Sequence, residues 1–295
     1  MAMRVNEYRV YKGIEFKKVV PERLIQFRGD ADGRFSSARL IRPDRIAASF
    51  GVGSVDAVAS ASRVSDEMIL IKAGSFPVKG SELFGGNKPA AERITISKDF
   101  ELGKYPVTVA EFREFVEAAG YLNKISGQQG ADELRELLSD HSMDRHPVVW
   151  VNKDDRRAYA AWKGEGYYIP TAAEWEYAAR GNEGRLFPYG NDWREAPYYM
   201  ADKTFPVDSF PEGATPEGVS GFGIVWEATS TYYDSYDPKL TTDPRGPKSG
   251  DSIEVRGGSA WGNDQGYFHG ANRSGDNPVY RRNLLGFRVA KRTLS

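Results

Sequence analysis

Histidine, cysteine and clustered acids do most covalent and metal chemistry in proteins, and this 295-residue sequence is sparing with the first two. It contains no cysteine and only three histidines, His141, His146 and His269. Without a thiol there is no thiolate nucleophile, no thiol–disulfide or thiolate–copper chemistry, and no zinc site of the Cys type. His141 and His146 lie close together in a loop stretch and His269 is distant, a poor facial set for a metal. All three read as surface or turn histidines. Residues 256–288, RGGSAWGNDQGYFHGANRSGDNPVYRRNLLGFR, carry a different kind of chemistry. Stiff ends, Arg256-Gly257-Gly258-Ser259 and Leu285-Gly286-Phe287-Arg288, frame small, polar and tyrosyl residues, the composition of a contact surface. Gly, Asn, Asp, Ser and Pro break every helical or strand period between them, so the segment should run as loops on a scaffold.

That scaffold must come from the rest of the chain. With 40% hydrophobic and 13% aromatic residues, the sequence can bury one large core, or a core plus a small extra domain. A formal net charge of -1, with both signs interspersed, argues against a nucleic-acid or anionic-membrane binder. No stretch is long and apolar enough for a membrane span, and the N-terminus lacks the apolar core of a secretory signal.

Residues 1–66 differ from the remainder. Short β-prone runs at Tyr8–Tyr11 and Ile14–Val20 give way to a small-residue stretch, which predicts a β-rich N-terminal module or extension. From Glu67 onward the signals sharpen. Met68-Ile69-Leu70-Ile71 reads as a buried strand. Thr108-Val109-Ala110-Glu111 is a capping box, with Phe112, Phe115, Val116 and Ala119 on one helical face and Gly120 as the stop. A short amphipathic piece carries Leu134, Leu137 and Leu138. Asn152 opens a second helix with Ala158, Ala161 and Trp162 as its expected buried stripe, and Thr171-Ala172-Ala173-Glu174 caps a third that buries Trp175, Ala178 and Ala179. Helices come early, strands and loops late, and no βαβ alternation appears. The fold class is therefore α+β, with helices flanking a largely antiparallel sheet.

Several stretches, in order, resemble a known family. They are Met68-Ile69-Leu70-Ile71-Lys72-Ala73-Gly74-Ser75-Phe76, Tyr105-Pro106-Val107-Thr108, His146-Pro147-Val148-Val149, and Pro170-Thr171-Ala172-Ala173-Glu174-Trp175-Glu176-Tyr177-Ala178-Ala179-Arg180-Gly181. Pro188-Tyr189-Gly190, Val225-Trp226-Glu227, Arg256-Gly257-Gly258-Ser259 and Gly286-Phe287-Arg288 continue the series. Together they look like the formylglycine-generating-enzyme (sulfatase-modifying factor) type of C-type lectin-like domain, over about residues 67–292. The resemblance implies the C-type lectin-like fold for residues 67–295. Oxidase members use reactive cysteines in the C-terminal loop region, which this sequence lacks, and the hercynine-oxygenase type needs an iron held by histidines.

The branch the residues resemble most is the variable proteins of diversity-generating retroelements, ligand-binding proteins whose C-terminal segment is mutagenised at adenines. In that branch Asn codons are the main substrate, and their replacement reaches Asn, Asp, Tyr, His, Ser, Gly, Arg and Leu but never Lys, Glu, Gln, Met or Trp. Gly262, Asn263, Asp264, Gly266, Tyr267, His269, Asn272, Ser274, Gly275, Asp276, Asn277, Tyr280, Arg282, Asn283 and Leu284 all fall in the reachable set. Lys and Glu are absent between Trp261 and Arg288, and Gln265 would be a fixed position. Arg256, Trp261, Arg273, Arg281, Phe287 and Arg288 read as the scaffold of the site, the arginines because guanidinium suits buried carboxylates and loop carbonyls.

What the resemblance implies is binding without catalysis, by a segment that works like a paratope. Tyr267 and Tyr280 would supply amphipathic area, while Asn, Asp, Ser and His supply adaptable hydrogen bonds. The alternatives are a non-diversified binding or structural member and a divergent oxidase. The expected partner is a protein or glycan on a cell surface, with the chain virion-associated or at a cell surface and residues 1–66 serving to oligomerise or attach it. No cofactor is required for this role. Family members often carry structural calcium, but Ile224 stands where the family offers Asn, leaving Asp234, Asp237 and Asp243 as oxygen donors.

Overall fold

The structure is a computed structural model that describes residues 67–78, 92–125, 129–196, 201, 203–234, 239, 241–260 and 265–293, together with the backbone of four N-terminal strands. The chain divides into two compact units, Met1–Ser62 and Arg63–Ser295. In the first, β1 (Arg9–Tyr11), β2 (Ile14–Val20), β3 (Arg23–Gly29) and β4 (Phe35–Ile41) pair in sequence order as an antiparallel meander. The small-residue stretch that follows lies outside the described residues.

The second unit begins with β5 (Met68–Ile71), β6 (Gly74–Pro77), β7 (Arg93–Ile96) and β8 (Phe100–Gly103). β6 and β7 form a separate two-stranded ribbon. Helix α1 (Val109–Ala118) starts at Thr108, whose side chain and that of Glu111 satisfy each other's backbone donors, and Gly120 follows it in the left-handed region at φ 59°. Helix α2 (Ala131–Ser139) buries Leu134 and Leu138. Helix α3 (Lys153–Lys163) is capped by Asn152 and Asp155. After the short β9 (Tyr167–Tyr168), helix α4 (Ala172–Arg180) repeats the Thr-x-x-Glu cap at Thr171 and Glu174. Then come β10 (Trp226–Tyr232), β11 (Ile253–Arg256), β12 (Ser274–Asp276), β13 (Leu285–Gly286) and β14 (Ala290–Arg292).

Two four-stranded sheets result. One runs β5-β8-β14-β9, so the start and end of the unit pair with the same strand, Ile69 and Ala290 both opposite Leu102. The other runs β12-β11-β10-β13, antiparallel except for β10 with β13. The aromatic core brings Phe112, Phe115, Tyr159 and Phe287 together, with Phe287 edge-on to Tyr159 at a ring distance of 5.5 Å. Phe287, at the C-terminal end of the segment, is thus packed against α1 and α3.

Two expectations need correction. Helix α3 buries Asp155, Arg156, Tyr159 and Ala160, whereas Ala158 and Trp162 are half-buried and Ala161 is exposed. The buried face is rotated because Tyr159 joins the aromatic core and Asp155 serves as an internal counter-ion, roles that hydrophobicity alone does not reveal. The Met68–Ile71 strand is not buried throughout. It is a sheet edge, and Leu70 is 44% exposed. No helix among the described residues is long and apolar enough to cross a membrane.

Candidate functional site

The C-terminal segment is held from inside by arginines, each on a carboxylate from a distant part of the unit. Arg288 is buried and grips Glu227 through two hydrogen bonds, Nε to Oε2 at 2.5 Å and Nη2 to Oε1 at 2.6 Å. Glu227 also accepts the Trp175 indole N–H at 2.8 Å, so β10, α4 and the Gly-Phe-Arg motif meet on one carboxylate. Arg281 is bidentate on Asp155, which also accepts the Tyr121 hydroxyl at 3.2 Å. One Arg281 nitrogen reaches the Trp150 carbonyl at 2.9 Å.

Arg256 sits in the middle of a buried ladder. It donates to Glu176 at 2.7 Å, its Nε forms an ion pair with Glu254 at 2.6 Å, and its Nη1 donates to the carbonyls of Gly270 and Asn272. Glu176 also takes Arg180 at 2.5 Å, and Glu254 takes Arg273 at 3.0 and 2.7 Å. Burial alone would push the Glu176 carboxyl up, but Arg256 and Arg180 together hold it below the usual carboxylate range. The run Arg180–Glu176–Arg256–Glu254–Arg273 therefore ties α4 through β11 to the segment. Such pairs contribute geometry more than net stability, and breaking one leaves an uncompensated buried charge.

The Arg-Gly-Gly-Ser turn fits the same plan. Gly258 has φ 72°, and a Cβ there would lie 2.7 Å from the Tyr267 carbonyl oxygen. Only glycine lets the segment fold back over its own start.

Of the fifteen candidate contact positions, Gly262, Asn263 and Asp264, with the scaffold residue Trp261, lie outside the described residues. Tyr267, Gly275, Tyr280 and Arg282 are exposed, the two tyrosines at 47% and 48%. Ser274, Asp276, Asn277, Asn283 and Leu284 are half-buried. Gly266, His269 and Asn272 are buried, which departs from their reading as exposed contact positions. The cause for His269 is clear: its ring lies edge-on to Phe187 at 5.9 Å, and its Nδ1 accepts the Ala271 N–H at 3.1 Å. Burial, with the Arg180 cation nearby, pushes the His269 imidazole down to about 4, so it is neutral near pH 7. It is neither a surface nor a charged group.

Residues outside the segment join it. Trp226 meets Tyr267 edge-on at 6.0 Å, Lys153 covers the Tyr232 ring at 4.5 Å and its backbone N–H donates to the Pro278 carbonyl, and Arg273 covers Tyr233 at 5.3 Å. Within the segment, Arg282 covers Tyr280 at 5.0 Å. The tandem Tyr232-Tyr233 at the end of a β-prone run was the available sequence signal for this aromatic margin.

The donor set for calcium does not fit at the doubtful position. Ile224 is fully buried among Val225, Ala260 and Phe268 and offers no oxygen. Asp243 is occupied by Ser97, whose backbone N–H and hydroxyl it accepts. Asp237 lies outside the described residues, and among the described residues no group of three or more His, Cys, Asp or Glu is placed to hold a metal. The three histidines have separate surroundings, His141 against Arg113, His146 against Thr204 and His269 against Phe187.

Comparison with known proteins agrees with this architecture. The model of the sulfatase-modifying factor enzyme 1-like domain matches residues 55–293. Bovine formylglycine-generating enzyme is 28% identical, covering 76% of this chain and 74% of its own. A bovine protein named inactive C-alpha-formylglycine-generating enzyme 2 is 26% identical, covering 76% and 87%. Among solved structures, Treponema denticola variable protein 1 superposes with a TM-score of 0.57 at 19% identity, covering 77% of this chain and 95% of that one. The family thus includes both active and inactive members, and this chain belongs to the sulfatase-modifying factor enzyme 1-like family, with the C-type lectin-like fold of the formylglycine-generating-enzyme type.

Proposed function

We propose that the chain is a non-catalytic binding protein whose C-terminal segment recognises a protein or glycan on a cell surface, and that a retroelement diversifies this segment. One observation carries the reading. Arg256, Arg273, Arg281 and Arg288 are each committed to a carboxylate, while Tyr267, Gly275, Tyr280 and Arg282 between them face solvent. A frame fixed by its own counter-ions tolerates change at the positions it presents, the division found in binding loops. The absence of cysteine removes the thiol chemistry of the oxidase members. Similarity in fold to a protein named a variable protein is consistent with the same role.

The burial of Gly266, His269 and Asn272 favours a second reading at those positions, a static binding member whose inner loop is not varied. The neighbouring DNA separates the two. A reverse transcriptase beside a near-copy of the segment, differing only where the copy has adenine, is the expected finding; its absence leaves the static member. Binding itself is tested by replacing Tyr267 and Tyr280 together with alanine, which should abolish attachment to target cells and leave the domain folded.

A further inference from the structure

We propose that Tyr233, outside the C-terminal segment, is a fixed member of the binding face, and that the side chain at position 275 sets its pose. This rests on the binding reading above and extends it to a residue the segment does not contain.

Tyr233 follows β10 directly, and its backbone N–H donates to the Ser252 carbonyl at 2.9 Å. The residue is nevertheless 45% exposed. Arg273 covers one face at 5.3 Å. The same guanidinium is bidentate on the buried Glu254 and donates to the Asp234 carbonyl at 2.6 Å, which clamps the turn that carries the ring. The outer end of the buried ionic ladder therefore terminates on an exposed tyrosine. A rigid, exposed aromatic loses little entropy on binding, which is the property of anchor residues in interfaces.

Gly275 lies in the middle of β12, paired with Glu254. A Cβ at this position would fall 3.0 Å from Cδ1 and 3.2 Å from Cγ of Tyr233, at the root of the ring and tight enough that the ring has to give. Gly275 is not among the glycines at positive φ, so an L side chain brings no left-handed strain there. Only the tyrosine stands in the way. A side chain at 275 makes the ring give by a few tenths of an ångström or more, so a change at this one position alters two surfaces: its own and that of Tyr233.

The test uses the full chain displayed on yeast, in two libraries randomised at Tyr267, Tyr280, Arg282 and Asn283 and selected against purified hen lysozyme. One library keeps Tyr233 and the other carries Tyr233→Ala, with surface display level reporting folding in both. The Tyr233 library should yield at least about 10-fold more binders, the effect of one anchor residue. Equal yields would overturn the proposal while leaving the binding reading in place, and no binders from either library would overturn both. If the Tyr233→Ala library displays poorly, Tyr233→Leu replaces it. Position 275 is read without any ligand: in protein labelled with 3-fluorotyrosine, Gly275→Ala should shift the Tyr233 fluorine resonance and leave that of Tyr280 in place. An unmoved Tyr233 resonance would overturn the role of position 275.

Discussion

Arg288 and Glu227 lie 61 residues apart in sequence and form a doubly hydrogen-bonded pair that solvent does not reach, with Trp175 closing the third side of the carboxylate. The pair joins the last motif of the segment to the central strand of its sheet. Replacing Arg288 with alanine strands the Glu227 charge and should cost about 3–5 kcal/mol in chemical denaturation. Arg288→Lys should recover only part of this, because a single ammonium cannot reproduce the two-pronged contact and also reach the Gly103 and Lys104 carbonyls.

The caps of α1 and α4 make a smaller and separable contribution. Thr108→Ala and Thr171→Ala each remove a side-chain acceptor for the first-turn N–H groups and half of a reciprocal pair. Each should lower stability by about 1 kcal/mol, and the two effects should add in the double variant if the caps are independent.

His269 predicts a pH dependence. Its folded value of about 4 lies below its ordinary 6.5, so between those two the unfolded chain binds more protons than the folded one. Stability should therefore be fully present above pH 6.5 and fall as the pH drops towards 4. The urea midpoint measured at several pH values should follow that slope, and His269→Gln should flatten it whatever its effect on the midpoint at neutral pH. Glu176, also held down, adds a further loss only below its ordinary carboxylate range.

Strands β1 to β4, in the first unit, pair among themselves as a meander. As a proposal, this unit assembles the binding domains into an oligomer, raising their effective concentration on a surface. Sedimentation of the full chain should give an oligomer and that of residues 63–295 a folded monomer; a monomeric full chain would remove the assembly role.

Much of the fold was legible because its signals are local. Thr108 with Glu111 and Thr171 with Glu174 mark helix starts within four residues of sequence, and the Gly-Phe-Arg and Arg-Gly-Gly-Ser motifs mark the frame. What stayed hidden depends on distance. That Arg256 meets Glu176 across 80 residues, or Arg281 meets Asp155 across 126, leaves no local pattern, although the need of each arginine for a buried acceptor could be stated in advance. The inward turn of His269 and Asn272 was missed for the same reason: polar type suggested solvent, and the aromatic Phe187 against which His269 packs comes from a distant loop. Tyr233 carries no local mark of its role, because the glycine that leaves room for its ring, Gly275, lies on the distant strand β12.

The central claim is that the segment has a fixed frame and free positions, and a substitution scan of residues 256–288 read by resistance to proteolysis on a display surface tests it without any ligand. The frame account predicts that Tyr267, Tyr280 and Arg282 accept nearly every residue, while Arg256, Arg273, Arg281, Phe287 and Arg288 accept almost none. Equal intolerance at both sets, or free exchange of the arginines, would contradict it.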